Sequence, residues 1–177
     1  MKMSIKSVLI IVLTTITFVA KAQQKFTKVK PTEEDKQTYA WNYEIECAGV
    51  GTDGMYLVKV YTISSKSKLD LEQAKKNAVH GVIFKGFPGK DGCKSQKAIA
   101  TNPNIEYEKN DFFMNFFQDN GKYMKYVSLS NAGQIDAKDT KKVGKEFKIG
   151  VIVTVSKDAL RKDLEEAGII RGLNSGF

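Results

Sequence analysis

The chain has 177 residues, 42% hydrophobic and 27% charged, with 14 Gly, 3 Pro, 2 Cys and a formal net charge of +8. That length suits one domain, and ordinary apolar content with charges of both signs excludes a disordered chain. So few Pro and Cys exclude collagen-like, mucin-like and multi-disulfide scaffolds, and the charge bears on solubility and encounter without identifying a ligand.

Met1 to Lys6 carry two lysines and no acid, Val8 to Ala20 form an apolar run interrupted only by threonines, and Ala20-Lys21-Ala22 places small residues before Gln23. These are the three parts of a secretory signal peptide. The run of ~13 residues is short of the ~20 that a spanning helix needs. The expectation is a leader over residues 1–22, cleaved after Ala22, and a soluble periplasmic or secreted chain with no transmembrane span. No cysteine stands near the cleavage site to carry a lipid.

Residues 23–38 are polar, with Pro31 and the acidic Glu33-Glu34-Asp35, and read as a flexible lead-in. Tyr39, Trp41, Tyr43, Ile45 and Cys47 then alternate with more polar residues, the period of a half-buried strand. Gly49 to Gly54 turns the chain into a second strand over Met55 to Ile63, so the pair forms a hairpin. Asp70, with Gln73 three residues on, opens a helix whose Leu71, Ala74, Ala78, Val79 and Val82 share one side. It fades before Gly86. A loop rich in Gly and Lys, holding Cys93, leads to Asn102-Pro103, and a second helix runs to about Gln118.

Tyr123 to Ser130 reads as a third strand, residues 131–143 as a long basic connection, and Glu146 to Ser156 as a fourth strand. That last strand is apolar on both faces and so central in its sheet. Ser156 caps a final helix closed by Gly168. The reading is one α+β domain over residues 39–170 and a loose tail over 171–177. Its order is β-β-α-α-β-β-α, with a four-stranded, mainly antiparallel sheet and helices on one face.

Gly49-x-Gly51-x-x-Gly54 matches a dinucleotide-binding fingerprint as text, but the fingerprint needs a helix next, and here a strand follows. Asp53-Gly54 is a favoured hairpin turn. Cys47 and Cys93, in an oxidising compartment, are read as a disulfide; the alternative is a buried thiol at Cys47 and an idle exposed one at Cys93. His80 is the only histidine. Any Ser-His-Asp or Cys-His mechanism would use it as base, yet helical spacing sets it opposite the apolar stripe, facing solvent. One histidine and two separated cysteines are too few for a zinc site, and no metal or cofactor is expected.

Glu44 and Glu46 share a strand face ~7 Å apart, a spacing that could hold the acid/base pair of a glycoside hydrolase or simply decorate an exposed face. Phe112, Phe113, Phe116 and Phe117 form one helical stripe, which is core or, where exposed, a partner-docking surface. Lys138, Lys141, Lys142 and Lys145 form a basic loop without interleaved aromatics, either solvated or a site for an anionic glycan or lipid. No nucleic-acid partner is expected.

The leader ending Ala20-Lys21-Ala22-Gln23-Gln24, together with Ala74-Lys75-Lys76-Asn77-Ala78-Val79-His80-Gly81-Val82-Ile83-Phe84-Lys85-Gly86, resembles an uncharacterised exported protein family of Bacteroidetes-type bacteria. The resemblance covers most of the mature chain and brings no activity and no site residues. A strand followed by an alanine-rich helix is also similar, over a short stretch, to the α+β domains of LPP20-type lipoproteins and flagellar accessory proteins. That similarity implies an envelope or assembly module; the lipoprotein cysteine of that family is missing here. The expected function is therefore a non-catalytic exported module that binds another envelope or secretion component. The alternatives are a carboxylate-dependent hydrolase of glycan or cell-wall material, or a binder of anionic glycan or lipid.

Overall fold

Alternating aromatic and β-branched residues dictate the first two elements. In the computed structural model β1 (Tyr43–Gly49) and β2 (Tyr56–Ser64) form an antiparallel hairpin, with Tyr43 opposite Thr62 and Cys47 opposite Val58. The structure describes residues 40–65, 69–90 and 92–172, so the expected leader, the lead-in and all of the tail beyond 172 lie outside the described residues. Gly54 takes φ 75° in the connecting turn, where the Met55 amide donates to the Thr52 carbonyl at 3.0 Å. The glycine motif is thus a hairpin turn leading into a strand.

Asp70 caps α1 (Leu71–His80), its carboxylate accepting from the amides of Glu72 and Gln73 at 2.9 and 3.2 Å. The helix widens into a π turn over Gly81–Lys85 and stops at Gly86, whose φ of 67° suits a residue without a Cβ. A Cβ there would also overlap the Gln96 carbonyl oxygen. Gly86→Ala is therefore expected to lower stability by about 3 kcal/mol, read as a lower urea midpoint with an unchanged slope.

The single helix expected from Asn102 to Gln118 is two: α2 (Ile105–Glu108) and α3 (Asn110–Phe117), broken at Lys109 with φ −113° and ψ 31°. The break lets Ile105 and Phe113 both enter the core while Glu106 turns toward α1. The third strand is shorter than expected. Lys122–Tyr126 is a 3₁₀ turn, and only Val127–Leu129 forms β3. Tyr123 and Tyr126 are both fully buried, and a 3₁₀ turn sets residues three apart on one side where a strand would set them on opposite faces. Each ring ends in a hydrogen bond, to Glu72 at 2.6 Å and to Asp163 at 2.5 Å.

The basic connection is not all loop. It leaves β3 through short 3₁₀ turns and returns as β4 (Thr140–Val143), which pairs with β5 (Glu146–Val155) around Gly144. The sheet order is β1-β2-β5-β3, with β4 also on β5. β3 takes positions 153–155 of β5 and β4 takes 146–149, so two short strands share one side of the central strand. The observed order adds a short helix and a short strand to the expected one, and the architecture is an antiparallel sheet with helices, an α+β fold.

α1 lies on the face where Val58, Val60, Val151, Val153 and Val155 are buried. α4 (Lys157–Glu166) closes the core with Leu160 and Leu164. Ser156 stands at its N-cap without a side-chain cap bond; the Asp158 amide instead donates to the Gly54 carbonyl at 3.1 Å. Gly168 follows the helix with φ 66°.

Candidate functional site

α1 is buried on more than its apolar stripe. Lys76, Asn77 and His80 are 2%, 1% and 3% exposed, so His80 does not face solvent as its helical phase suggested. The physical reason is that other segments cover this part of α1: Tyr43 reaches it from β1, and Trp41, Glu106 and Phe117 close over it from outside the sheet. Lys76 reaches out to Asp119 at 2.5 Å.

His80 sits in a closed polar cluster. The Tyr43 hydroxyl lies 2.6 Å from Nδ1, and Nε2 lies 3.0 Å from Oε1 of Glu106. Trp41 stacks on the imidazole with centroids 3.7 Å apart, and its Nε1 donates to the same Glu106 oxygen at 2.9 Å. Phe84 covers another side at 4.7 Å. Trp41 departs from the expected strand alternation: its φ of 45° is rare for a residue with a side chain, and the stacking and the indole hydrogen bond hold it there. Lys85 Nζ lies 3.8 Å from the Tyr43 ring centroid.

Burial lowers the His80 pKa, the Glu106 hydrogen bond and charge oppose that, and Lys85 adds to the lowering. Burial, with Glu106 second, raises that of Tyr43. The consistent assignment is a neutral imidazole whose Nε2–H donates to Glu106 while Nδ1 accepts from Tyr43. A Tyr-His-Glu chain has the parts of a proton relay, but both ring nitrogens are engaged and aromatic rings cover the imidazole.

The carboxylates singled out on β1 are each held by cations. Glu44 pairs with Lys148 at 2.6 Å; Glu46 receives Lys90 at 3.2 Å and the Tyr61 hydroxyl at 3.2 Å. Tyr61 also reaches Asp139 at 3.4 Å, which pairs with Lys59 at 2.8 Å. The Tyr61 pKa is pushed up to about 12 by burial and by the charges of Glu46 and Asp139. Sequence reasoning missed this cluster because Asp139 comes from the far end of the chain between β3 and β4.

Three rings of the phenylalanine stripe, Phe113, Phe116 and Phe117, are core, 3% exposed or less. They are therefore not a docking surface. Phe112 alone is partly exposed and, with Tyr107, rims a groove of about 860 Å³. The four lysines do not lie in one loop. Lys138 pairs with Asp136 at 2.8 Å, Lys141 and Lys142 lie on β4, and Lys145 belongs to the hairpin tip. Cys47 and Cys93 are joined as a disulfide, with Cα atoms 6.2 Å apart. Among the described residues no three His, Cys, Asp or Glu side chains gather where they could hold a metal ion.

At the other end of the core, Asp163 accepts from Tyr126 and Lys125, and these bonds pull its pKa down to about 2. The stability this carboxylate contributes is complete above the unfolded value near 3.8 and is lost as pH falls toward 2. Asp163→Asn should cost about 2 kcal/mol at pH 7 and flatten the acid limb of a stability-against-pH curve below pH 4.

Comparison of the chain with protein-family models, with curated proteins and with solved structures finds no match.

Proposed function

We propose that the chain is a non-catalytic exported module that binds another envelope or secretion component. The observation that carries this reading is the internal engagement of its chemistry-bearing groups. His80 uses both nitrogens within the cluster, and Glu44 and Glu46 are each ion-paired. The leader sequence and the Cys47–Cys93 disulfide support export into an oxidising compartment. Among the described residues no helix is long and apolar enough to cross a membrane.

The test is crosslinking of the chain in its native cells, purification under denaturing conditions and identification of what it carries. The expected result is one reproducible envelope or secretion protein, captured equally by the Glu44→Gln and Glu46→Gln variants. No captured protein beside a working positive control overturns the reading. A loss of turnover on cell-wall glycan in those two variants would instead support the hydrolase.

A second reading is favoured by one observation. Lys141, Lys142 and Lys145 are exposed and, among the described residues, have no carboxylate partner, which suits an anionic glycan or lipid surface. It predicts binding to anionic vesicles that falls steeply with salt and with Lys141→Glu/Lys142→Glu.

A further inference from the structure

Among the described residues β1 is the outermost strand of the sheet on its side. The Ile63 amide donates to the Asn42 carbonyl, and the same register sets Glu44 opposite Tyr61 and Glu46 opposite Lys59. In an antiparallel ladder the hydrogen-bonded pairs alternate, so Asn42, Glu44 and Glu46 turn their backbone groups toward β2, and Ile45 and Cys47 turn theirs outward. Among the described residues no backbone hydrogen bond reaches Ile45 or Cys47 from that outer side. Such a row of open N–H and C=O groups templates the addition of another strand unless something guards it.

A guard is present. Lys90 and Cys93 exchange backbone hydrogen bonds of 3.1 and 2.9 Å, forming the tip of a narrow hairpin whose base is the Phe87–Gln96 bridge. Cys93 is bonded to Cys47, whose side chain is on the buried face of β1, while Lys90 Nζ lies 3.2 Å from both carboxylate oxygens of Glu46, on the opposite face. β2 fills the other side of β1, so a tip that reaches both faces at adjacent residues passes around the open edge near its Gly49 end, where Cys93 Sγ lies 3.3 Å from the Gly49 carbonyl oxygen. It supplies what an added strand would supply there: a cation against Glu46 and a residue packed beside Cys47.

We propose that the outer edge of β1 is a strand-addition site for an extended segment that alternates apolar and basic residues, and that the disulfide-held tip guards it. The proposal rests on the module reading above and names the chemistry of the partner. A second copy of the chain fits poorly, because antiparallel pairing of β1 with itself sets Glu46 against Glu46 or Glu44 of the other copy. The guard lifts by thiol–disulfide exchange with a dithiol reductant. The Cys47–Cys93 bond breaks, each sulfur takes one hydrogen, and the reductant leaves as its disulfide. Ile45 and Cys47 then present four backbone groups at strand spacing, and the lysine or arginine of the incoming segment replaces Lys90 on Glu46.

The test titrates a labelled, alternating Val/Lys peptide against the mature chain, oxidised and after dithiothreitol, with an alternating Val/Glu peptide as control. Binding is read by anisotropy and by amide hydrogen exchange. The expected result is roughly tenfold or tighter binding of the Val/Lys peptide to the reduced chain, none of the Val/Glu peptide, and new protection at Ile45 and Cys47. The Cys47→Ser/Cys93→Ser variant should match the reduced chain without reductant. Equal binding to both redox states, indifference to peptide charge, or no protection at Ile45 and Cys47 overturns the proposal. So does loss of the fold, by circular dichroism, in both the reduced chain and the serine variant, since a guard that lifts only by unfolding opens no edge. A partner captured in cells together with no peptide binding sinks the edge site and leaves the module reading standing.

Discussion

Reducing the Cys47–Cys93 disulfide is expected to lower the stability of the fold by about 4 kcal/mol, the loop-closure entropy that a crosslink across 46 residues removes from the unfolded chain. The bond ties the end of β1 to the 87–96 hairpin, which also meets β1 through the Lys90–Glu46 ion pair and meets β2 through the 2.8 Å bond from Tyr56 to Gln96. Domains of this size carry about 5–15 kcal/mol, so the reduced chain keeps its fold at 25 °C while its melting temperature falls by about 10–15 °C. Urea titration with and without reductant measures the difference. A shift below about 1 kcal/mol would mean that the hairpin is held by its other contacts and that the loop-entropy account fails. The same measurement sets the ground for the edge site on β1, which requires a folded reduced state.

Replacing His80 by alanine is expected to cost about 3 kcal/mol at pH 7.5. It deletes a buried ring and leaves the Tyr43 hydroxyl and the Glu106 carboxylate without a partner they now have. It also takes away the surface on which Trp41 stacks, and with it the contact that holds residue 41 at positive φ. The wild-type protein carries a pH signature of the same cluster. Burial lowers the folded-state pKa of His80 below the unfolded value of 6.5, so the unfolded chain binds the proton first. Stability is complete above pH 6.5 and falls below it, by up to about 1.4 kcal/mol per pH unit, until the folded-state pKa is reached. His80→Gln should abolish the slope that sets in below pH 6.5 while leaving the lower limb, where Asp163 titrates, in place. A slope that survives in His80→Gln would assign the acid sensitivity to other groups.

These two expectations differ in how visible they were before folding. The disulfide is expected from two cysteines and from a leader-like N-terminal segment, both legible in the chain. The histidine cluster does not. Helical periodicity assumes one buried face, whereas α1 meets the sheet and is also covered by Trp41 and by Glu106 and Phe117 of α2 and α3. Lys76 and His80 are the casualties of that assumption: each is polar, each falls off the apolar stripe, and each is buried with a partner from a distant segment.

The strand expected over Tyr123 to Ser130 forms only over Val127–Leu129, for a related reason. Tyr123 and Tyr126 are strand-favouring residues in isolation, but the core takes both rings on one side, and Glu72 and Asp163 reward that placement. β4 went unread because Thr140–Val143 is exposed along its whole length, so no burial pattern marks it, and its pairing with β5 is all that defines it.

The sequence by itself determined the β1–β2 hairpin and its glycine turn, the cap of α1 at Asp70 and the central place of β5, and it favoured a pairing of the cysteines that the tertiary structure decided. The first three follow from local chemistry: alternation and a positive φ at Gly54, an acceptor for free amides, a strand apolar on both faces. Only the tertiary structure decided which polar residues are buried, where the second helix breaks, and which side of β1 the disulfide-bonded hairpin crosses. Those outcomes depend on contacts between segments far apart in the chain, where the burial of one layer sets the environment of the next, and no local pattern encodes them.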